Sequence, residues 1–486
     1  MAEKDPYRRY FVAALAISAL VQIILASLPD TLGDVLSYRD WMRSLVQFGI
    51  VKTYSNPELA RHGMQLIYPP FIPYVLWLIG KIWYAVAPDQ FLHQDGLVEF
   101  TIKTVCVAAN LGISTILFWA LKRSWESKIA FFAASAYAFN PAILFDTAYW
   151  GQTDSLSAIW ILVAVILIVG RQPELAWTAI SVGVMAKPFA WPFALLIGLY
   201  TFREFKIKRW ITSAISALVA FHVLFWPWIR IHQLHPMLEN VIVQIDASPY
   251  VSANAHNLWW LLQGGLPFRN VNDVAIAGIS YKTFGIILLA IFLSITSVKM
   301  WKSKKYESFY FACASVAFGF FILSTHMHEN HLFTFFPLMT LIFFRTPTLK
   351  RIYVLLSITF FLNLTLHDPA LVHLFGRLNL RPQLALSPPI NHSSPIVQYF
   401  LEQGRSFAIE ERTGTISLAR FILTILNAQV NVLIFAYWIL RFYRDRGFDS
   451  AFESGEVGLR VRPGWVLVLI LATGVPIVAM ALHRSA

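Results

Sequence analysis

The chain has 486 residues, of which 57% are hydrophobic and only 14% are charged. Soluble domains carry about 25% charged residues, so this composition excludes an ordinary soluble fold. The formal net charge of +12 is compatible with nucleic-acid binding, but the basic residues lie in short clusters between long apolar stretches. That pattern is typical of cytoplasmic loops in membrane proteins. We therefore predict a membrane protein whose partner is the lipid bilayer, with no nucleic-acid partner.

The apolar stretches are long enough to cross a bilayer as helices, since roughly 20 residues span the hydrocarbon core. Hydropathy predicts an all-α polytopic transmembrane bundle of about 13 spans. The basic clusters place the N-terminus in the cytoplasm and four substantial segments on the external side, at 28–98, 140–154, 228–275 and 367–412. The predicted spans run near 10–27, 99–121, 129–145, 155–170, 174–187, 188–201, 210–227, 276–298, 307–324, 332–346, 350–366, 413–440 and 465–483.

Residues 69–87, in the first external segment, are also apolar enough to be taken for a span. A crossing there would put the basic cluster at 122–128 outside and would invert every later basic loop. The stretch is also short and contains three prolines and Lys81. We therefore predict that it forms a helix lying at the membrane interface within a long first external loop.

Asp34 opens the first external segment, directly after a span. A carboxylate there lies at the membrane surface, where a lipid-linked substrate presents its headgroup. The same residue is also a plausible helix N-cap, because aspartate is favoured at that position.

The second external segment contains Asp146, Gln152 and Asp154 beside aromatic residues that include Trp150. Carboxylates and aromatic rings together suit the hydroxyls and the apolar faces of sugars. An aromatic belt with a solvated turn is the alternative interpretation.

A third polar cluster, at 324–331, lies between two predicted spans and contains His326, His328, Glu329 and His331. Ionisable residues at membrane depth are costly and usually functional. Imidazole and carboxylate groups are common zinc ligands, whereas protonatable imidazoles also suit a lipid phosphate. A solvated loop is the third possibility.

Basic residues are scarce on the external side. Lys103 begins the second span, Lys187 separates two short apolar stretches, and Arg230 follows the seventh. Each is a candidate for neutralising a lipid phosphate, and each is equally a candidate for a snorkelling anchor.

Taken in order, these motifs resemble the dolichyl-phosphate-hexose-dependent branch of the C-type glycosyltransferase superfamily. That branch includes the glucosyltransferases of N-glycan precursor assembly and the mannosyltransferases of GPI-anchor assembly. The resemblance covers roughly residues 10–335, while the final third of the chain carries little that matches. The matching motifs are Gly33-Asp34 with Arg39, Trp41 and Met42, then Tyr68-Pro69-Pro70, Asn140-Pro141 through Asp146 with Gln152, Lys187, and His326-Met327-His328-Glu329.

The resemblance implies an inverting transfer of mannose or glucose from a polyprenyl-phosphate carrier to the hydroxyl of a glycan, glycolipid or protein. It implies that Asp34 is the general base and that the active site lies on the periplasmic, extracellular or ER-lumenal side. No cofactor is required, and a divalent cation is not favoured. The candidates for holding the phosphate are Lys103, Lys187, Arg230, His326, His328 and His331. The candidates for binding the sugar or the acceptor are Tyr68, Asp146, Trp150, Gln152, Asp154 and Glu329.

Two positions depart from the family pattern. Asp40 occupies a position where the glucosyltransferases have histidine, so a second carboxylate is a candidate base. Six residues along a helix, it faces well away from Asp34, and Asp34 is kept as the first candidate. Glu329 is followed by Asn330-His331 rather than by lysine, which moves the implied phosphate contact to His331.

Residues 1–335 are thus predicted to form the catalytic module and 336–486 a C-terminal transmembrane module. A lipid or lipid-linked-sugar transporter without catalysis is one alternative. It would place polar residues on both leaflets, often in related halves, whereas here they are concentrated on one side and no internal repeat is evident. A metal-dependent hydrolase built on the 326–331 cluster is the other, although its ligands would come from one short segment.

Overall fold

The computed structural model describes residues 5–29, 33–61, 65–246, 250–265, 269–368, 383–385, 415–444 and 448–449. The chain divides into two compact units. Unit 1 contains Met1–Ser248 with Phe336–Ile342 and Ser393–Arg405, and unit 2 contains Pro249–Phe335, Phe343–His392 and Ser406–Ala486. The predicted external segment 367–412 lies largely outside the described residues, and the predicted span 465–483 lies wholly outside them.

Helices dominate both units. Those of unit 1 are α1 (Pro6–Ala26), α2 (Asp34–Phe48), α3 (Ile50–Thr53), α4 (Pro57–Arg61), α5 (Phe71–Val86), α6 (Pro88–His93), α7 (Asp95–Lys122), α8 (Ser127–Ala138), α9 (Pro141–Leu144) with a π-helix (Phe145–Trp150), α10 (Asp154–Val169), α11 (Pro173–Ala186) with a 3-10 turn (Pro188–Ala190), α12 (Trp191–Glu204), α13 (Ile207–Arg230) and α14 (Leu234–Asp246).

In the rest of the described chain the elements are β1 (Ser252–Ala253), α15 (Leu258–Leu262), β2 (Val274–Ile276), β3 (Ile279–Ser280), α16 (Tyr281–Lys302), α17 (Glu307–Leu323), β4 (Met327–His328), α18 (Phe335–Thr340), a 3-10 turn (Phe343–Arg345), α19 (Pro347–Thr365), β5 (Gln383–Ala385), β6 (Thr415–Ser417) and α20 (Leu418–Phe442). The strands form three two-stranded pairs, β1 with β4, β2 with β3 and β5 with β6.

Six helices in the described part of the chain are long and apolar enough to cross a membrane: α1, α7, α13, α16, α19 and α20. The segment from α8 through the π-helix passes the same test as a broken span bent by 48°. The protein is therefore an α-helical, multi-pass membrane protein, as the sequence predicts. Several of the other predicted spans are shorter helices, and the total of about 13 by hydropathy stays a prediction.

The helix predicted for residues 69–87 is present as α5, a 16-residue helix that begins after Pro70. Ile72, Leu76 and Gly80 on one face are buried against α2, whereas Leu78 and Ile82 on the other face are exposed apolar residues. A helix that is apolar on both faces packs on protein on one side and suits lipid on the other. Its position at the membrane interface remains a prediction.

In unit 2, α16 and α17 approach closely because Gly319 has no side chain. A Cβ at Gly319 would overlap the ring of Phe292 on the neighbouring helix. On another side of α17, Trp438 of α20 stacks on Phe311 at 4.8 Å between ring centroids, and its indole N–H donates to Ser315 Oγ at 3.0 Å. Small residues at helix interfaces are the usual means of close packing in membranes.

We expect Gly319→Ala to lower the thermal unfolding midpoint in detergent, because overpacking costs roughly 1–3 kcal/mol. Gly96→Ala is the matched control, since a Cβ at Gly96 of α7 meets nothing within 4 Å. Alanine also has the higher helix propensity, so the control should be neutral or slightly stabilising. Equal shifts in the two variants would contradict this account of the α16–α17 interface.

Candidate functional site

The carboxylate of Asp34 is held between two N–H donors from the second external segment. Asp34 is the first residue of α2, one position past Gly33, which has φ 89° and occupies the capping position. Trp150 Nε1 donates to Asp34 Oδ2 at 2.8 Å, and the Gln152 amide donates to the same oxygen at 2.9 Å. Hydrogen bonds to an ionised acceptor are among the stronger ones, so this pair fixes the direction of the carboxylate.

Gln152 also connects Asp34 to two tyrosine hydroxyls. Tyr38 OH donates to Gln152 Oε1 at 3.1 Å, which is consistent with the Gln152 amide nitrogen facing Asp34. Tyr38 OH also lies 3.2 Å from Tyr68 OH. Burial raises the pKa of Tyr38 well above its usual range, so its phenol stays protonated and remains a donor.

Tyr68 in turn contacts a buried ion pair. Lys187 Nζ lies over the Tyr68 ring, 5.6 Å from its centroid, and donates to Asp154 Oδ1 at 2.8 Å. Lys187 follows the last residue of α11, and Asp154 is the first residue of α10. These contacts form one connected set, which we call the Asp34 cluster. Its members are Asp34, Gln152, Tyr38, Tyr68, Lys187, Asp154 and Trp150.

The π-helix places Trp150 and Gln152 in reach of Asp34. It ends at Trp150 and is capped by Gly151, where φ is 80°, and the Gln152 N–H donates to the carbonyl of Asp146 at 3.0 Å. A Cβ at Gly151 would lie 2.6 Å from Val35 Cγ2, so the segment packs directly against the first turn of α2. Single π-helical turns of this kind are frequent at functional sites.

Lys103 fastens the same region from α7. Its Nζ donates to the carbonyls of Leu28 at 2.9 Å and Tyr149 at 2.6 Å, and the side chain is fully buried. Lys103 therefore holds the segment after α1 close to the end of the π-helix. The contact between Lys103 and a phosphate stays a prediction, since its two hydrogen bonds given above are to backbone carbonyls and its Nζ also lies 5.8 Å from the centroid of the Tyr149 ring.

Asp40 has different surroundings from Asp34. Arg39 Nε donates to Asp40 Oδ1 at 2.9 Å, and Arg39 Nη1 also pairs with Asp95 at 2.6 Å and Glu99 at 3.2 Å on α7. Arg43 adds a second ion pair to Asp95 at 2.8 Å. Asp40 is thus part of an ionic network between α2 and α7, whereas Asp34 contacts Trp150 and Gln152.

Two further predicted site residues belong to unit 1. Asp146 is fully buried within the π-helix and interacts electrostatically with Lys187. Arg230 is the last residue of α13, and its side chain is exposed. Asp146 is therefore placed to influence the Asp34 cluster through Lys187.

The predicted cluster of unit 2 is a tight turn held by a short parallel strand pair. Met327 and His328 pair with Ser252 and Ala253, and the His326 N–H points to the carbonyl of Tyr250 at 3.2 Å. We call residues 326–331 the histidine turn.

Two contacts within the histidine turn orient its ionisable groups. The backbone N–H of His328 donates to His331 Nδ1 at 3.0 Å, and His328 Nδ1 lies 3.9 Å from Glu329 Oε2. His328 is about half exposed and Glu329 is buried. In the described residues, no group of three or more histidine, cysteine, aspartate or glutamate side chains is arranged to hold a metal ion.

No protein-family model matches this chain, and no curated protein is significantly similar to it in sequence. The resemblance to the C-type glycosyltransferases therefore rests on the sequence motifs alone.

We expect Gly151→Ala to loosen the Asp34 cluster, because its Cβ would meet Val35 at 2.6 Å and Lys103 at 2.7 Å. Gly278→Ala, in the turn between β2 and β3, is the matched control, since Gly278 has a similar positive φ, 79°, but a Cβ there meets nothing within 4 Å. Both variants carry the left-handed backbone penalty of roughly 1–2 kcal/mol. Only Gly151→Ala adds a steric cost of about 1–3 kcal/mol. The thermal unfolding midpoint measures both, and an equal loss would show that the close approach at Gly151 does not matter.

Proposed function

We propose that this protein is an integral-membrane, inverting glycosyltransferase that moves a hexose from a polyprenyl-phosphate carrier to an acceptor hydroxyl. The observation that supports the proposal most directly is the Asp34 carboxylate, oriented by Trp150 and Gln152 in the first turn of a helix outside the apolar spans. The acceptor is a glycan, a glycolipid or a protein, and the reaction takes place on the non-cytoplasmic face.

In the proposed reaction, Asp34 removes the proton of the acceptor hydroxyl while that oxygen attacks the anomeric carbon of the sugar. The new bond from oxygen to carbon forms as the bond from carbon to phosphate oxygen breaks, and the configuration inverts. The electron pair leaves with the polyprenyl phosphate, and Asp34 afterwards returns its proton to water. General-base assistance of this kind contributes about 10²- to 10⁴-fold in rate.

The remaining rate enhancement comes from positioning and from charge stabilisation. Lys187 is the proposed phosphate contact within the Asp34 cluster, and its pairing with Asp154 fixes the direction of its ammonium group. Tyr68 is the proposed aromatic contact for a sugar ring, while Trp150, whose side chain is buried, orients Asp34. Gln152, Asp146 and Asp154 are proposed partners for the sugar hydroxyls, and Glu329 is a separate proposed sugar contact within the histidine turn.

The histidine turn is proposed as a second phosphate-binding element. His328 is half exposed, and it lies near Glu329, so its imidazole is accessible and has an acidic neighbour. Histidine changes its charge near neutral pH, which suits a group that binds an anion and later releases it. Lys103 and Arg230 are retained as weaker candidates, because Lys103 contacts backbone carbonyls and Arg230 is exposed.

We expect Asp34→Asn to reduce transfer by about 10²- to 10⁴-fold, the loss of a general base. The asparagine side chain keeps the size and one carbonyl oxygen for Trp150 and Gln152, so folding should be retained. The assay uses purified protein, polyprenyl-phosphate mannose or glucose, and a panel of acceptors, with release of free polyprenyl phosphate as the readout. A transporter would release none.

Asp40→Asn is the matched control for the same experiment. It removes a charge from the ionic network around Arg39, so it should lower the unfolding midpoint. The rate of sugar transfer should stay close to that of the unaltered protein. Loss of transfer in Asp40→Asn with full activity in Asp34→Asn would exchange the roles of the two carboxylates. If the unaltered protein transfers sugar from neither donor, the proposed function is ruled out.

A further inference from the structure

His256 of unit 2 is buried, and each of its polar atoms bonds to a residue from the C-terminal third of the chain. Its backbone N–H donates to Asn363 Oδ1 at 2.9 Å, and its carbonyl accepts from Asn431 Nδ2 at 2.9 Å. In the ring, Nδ1 lies 2.8 Å from Asn427 Nδ2, and Nε2 lies 2.9 Å from His367 Nε2. Asn363 belongs to α19, while Asn427 and Asn431 belong to α20.

The contacts around Asn427 decide where the His256 proton lies. The Asn427 amide nitrogen also donates to the carbonyl of Thr359 at 2.9 Å, which orients the amide. His256 Nδ1 is therefore an acceptor, and its Nε2–H donates to His367. Burial, with the nearby Arg420 charge, lowers the pKa of His256 to about 3, so the neutral ring is the stable form.

The loop that carries His256 is also the loop that holds the histidine turn. Asn363 Nδ2 donates to the carbonyl of Asn254 at 2.7 Å, so one amide side chain grips the backbone at both residues 254 and 256. Asn254 forms a bridge to His328, beside the pairing of β1 with β4. Two hydrogen-bonded steps therefore lead from α19 to the histidine turn.

Holding a loop with a polar network among apolar helices costs free energy, because polar groups must be buried. Buried amides and imidazoles cost free energy unless their partners are well placed, and apolar side chains would pack such a loop without that risk. What such a directional network adds is one defined position, even though the Oδ1 atoms of Asn427 and Asn431 accept no hydrogen bond within the described residues. Here, the defined position is that of the loop at 250–257 against α19 and α20.

We propose that Asn363, supported by Asn427 and Asn431, is a positioning residue for the histidine turn. The two C-terminal helices hold the 250–257 loop, and that loop holds the turn in the arrangement that binds the phosphate of the sugar donor. This inference rests on the proposed function, because it assigns the turn to donor binding. It gives the C-terminal third of the chain a role in substrate binding.

A loosened turn would have to be ordered when the sugar donor binds, and that ordering lowers affinity. We therefore expect Asn363→Ala to raise the KM for the polyprenyl-phosphate hexose by about tenfold, equivalent to about 1.4 kcal/mol of binding free energy. The proton transfer at Asp34 is untouched, so kcat should stay within about twofold. Combined with His328→Ala, the effect should be less than additive, because both act through one turn.

Asn110→Ala is the matched control. Asn110 of α7 is equally buried, donates to Gln22 Oε1 at 2.9 Å and accepts from Tyr137 OH at 2.7 Å within unit 1. It should lower the unfolding midpoint and leave the KM for the sugar donor unchanged. A KM that rises equally in both variants, or a KM unchanged in Asn363→Ala, would overturn the inference.

Hydrogen exchange separates this inference from the proposed function. The backbone amides of residues 326–328 should exchange faster in Asn363→Ala than in Asn110→Ala, whether or not the protein transfers a sugar. Unchanged exchange there would show that Asn363 does not position the turn. Faster exchange with unchanged KM would overturn the binding role of the turn, while the Asp34 experiment would still stand by itself.

Discussion

A buried polar group must find a partner, and that constraint shapes both units of this protein. In the part of unit 1 that the structure describes, three cations are deeply buried, and their partners differ. Lys103 donates to two backbone carbonyls, Lys187 pairs with Asp154 above a tyrosine ring, and Arg39 joins carboxylates of two helices. Each cation fastens elements that are distant in sequence, because an unpaired charge in these surroundings would be very costly. The Asp34 carboxylate is oriented inside the framework that they make.

The cost of an unpaired charge also explains why Lys187 and Asp154 are best considered together. Removing one partner of a buried ion pair leaves the other uncompensated and typically costs about 3–5 kcal/mol. A phosphate approaching Lys187 would add a second anion beside Asp154, and the lysine would then be shared between the two. The pair therefore serves both the fold and, in the proposed reaction, the leaving group.

The sequence predicts the helical membrane class well, because long apolar stretches and basic loops are direct physical signals. It also singles out Asp34, Tyr68, Gln152 and Lys187, which the structure joins in one cluster. What it does not predict is which atoms meet. The connection from Gln152 through Tyr38 to Tyr68 depends on the widened π-helical turn, and no local pattern in the sequence predicts that turn. The sequence marks Arg39 only as part of a motif, whereas in the structure three carboxylate partners make it the centre of a network.

The network around His256 escaped prediction for a different reason. Its partners lie more than 100 residues away along the chain, and its three asparagine partners lie within predicted spans rather than in the polar segments between them. A signal was nevertheless present within the predicted span itself. Arg420, Thr424, Asn427 and Asn431 recur at intervals of four, three and four residues, which places them on one face of α20. A polar stripe on an apolar helix needs a polar partner, and His256 with the end of α19 supplies it. In a membrane protein, such a stripe is therefore as informative as a motif in an external loop. The hydrocarbon core of the bilayer offers its polar side chains no hydrogen-bond partner, so the partner must come from the protein.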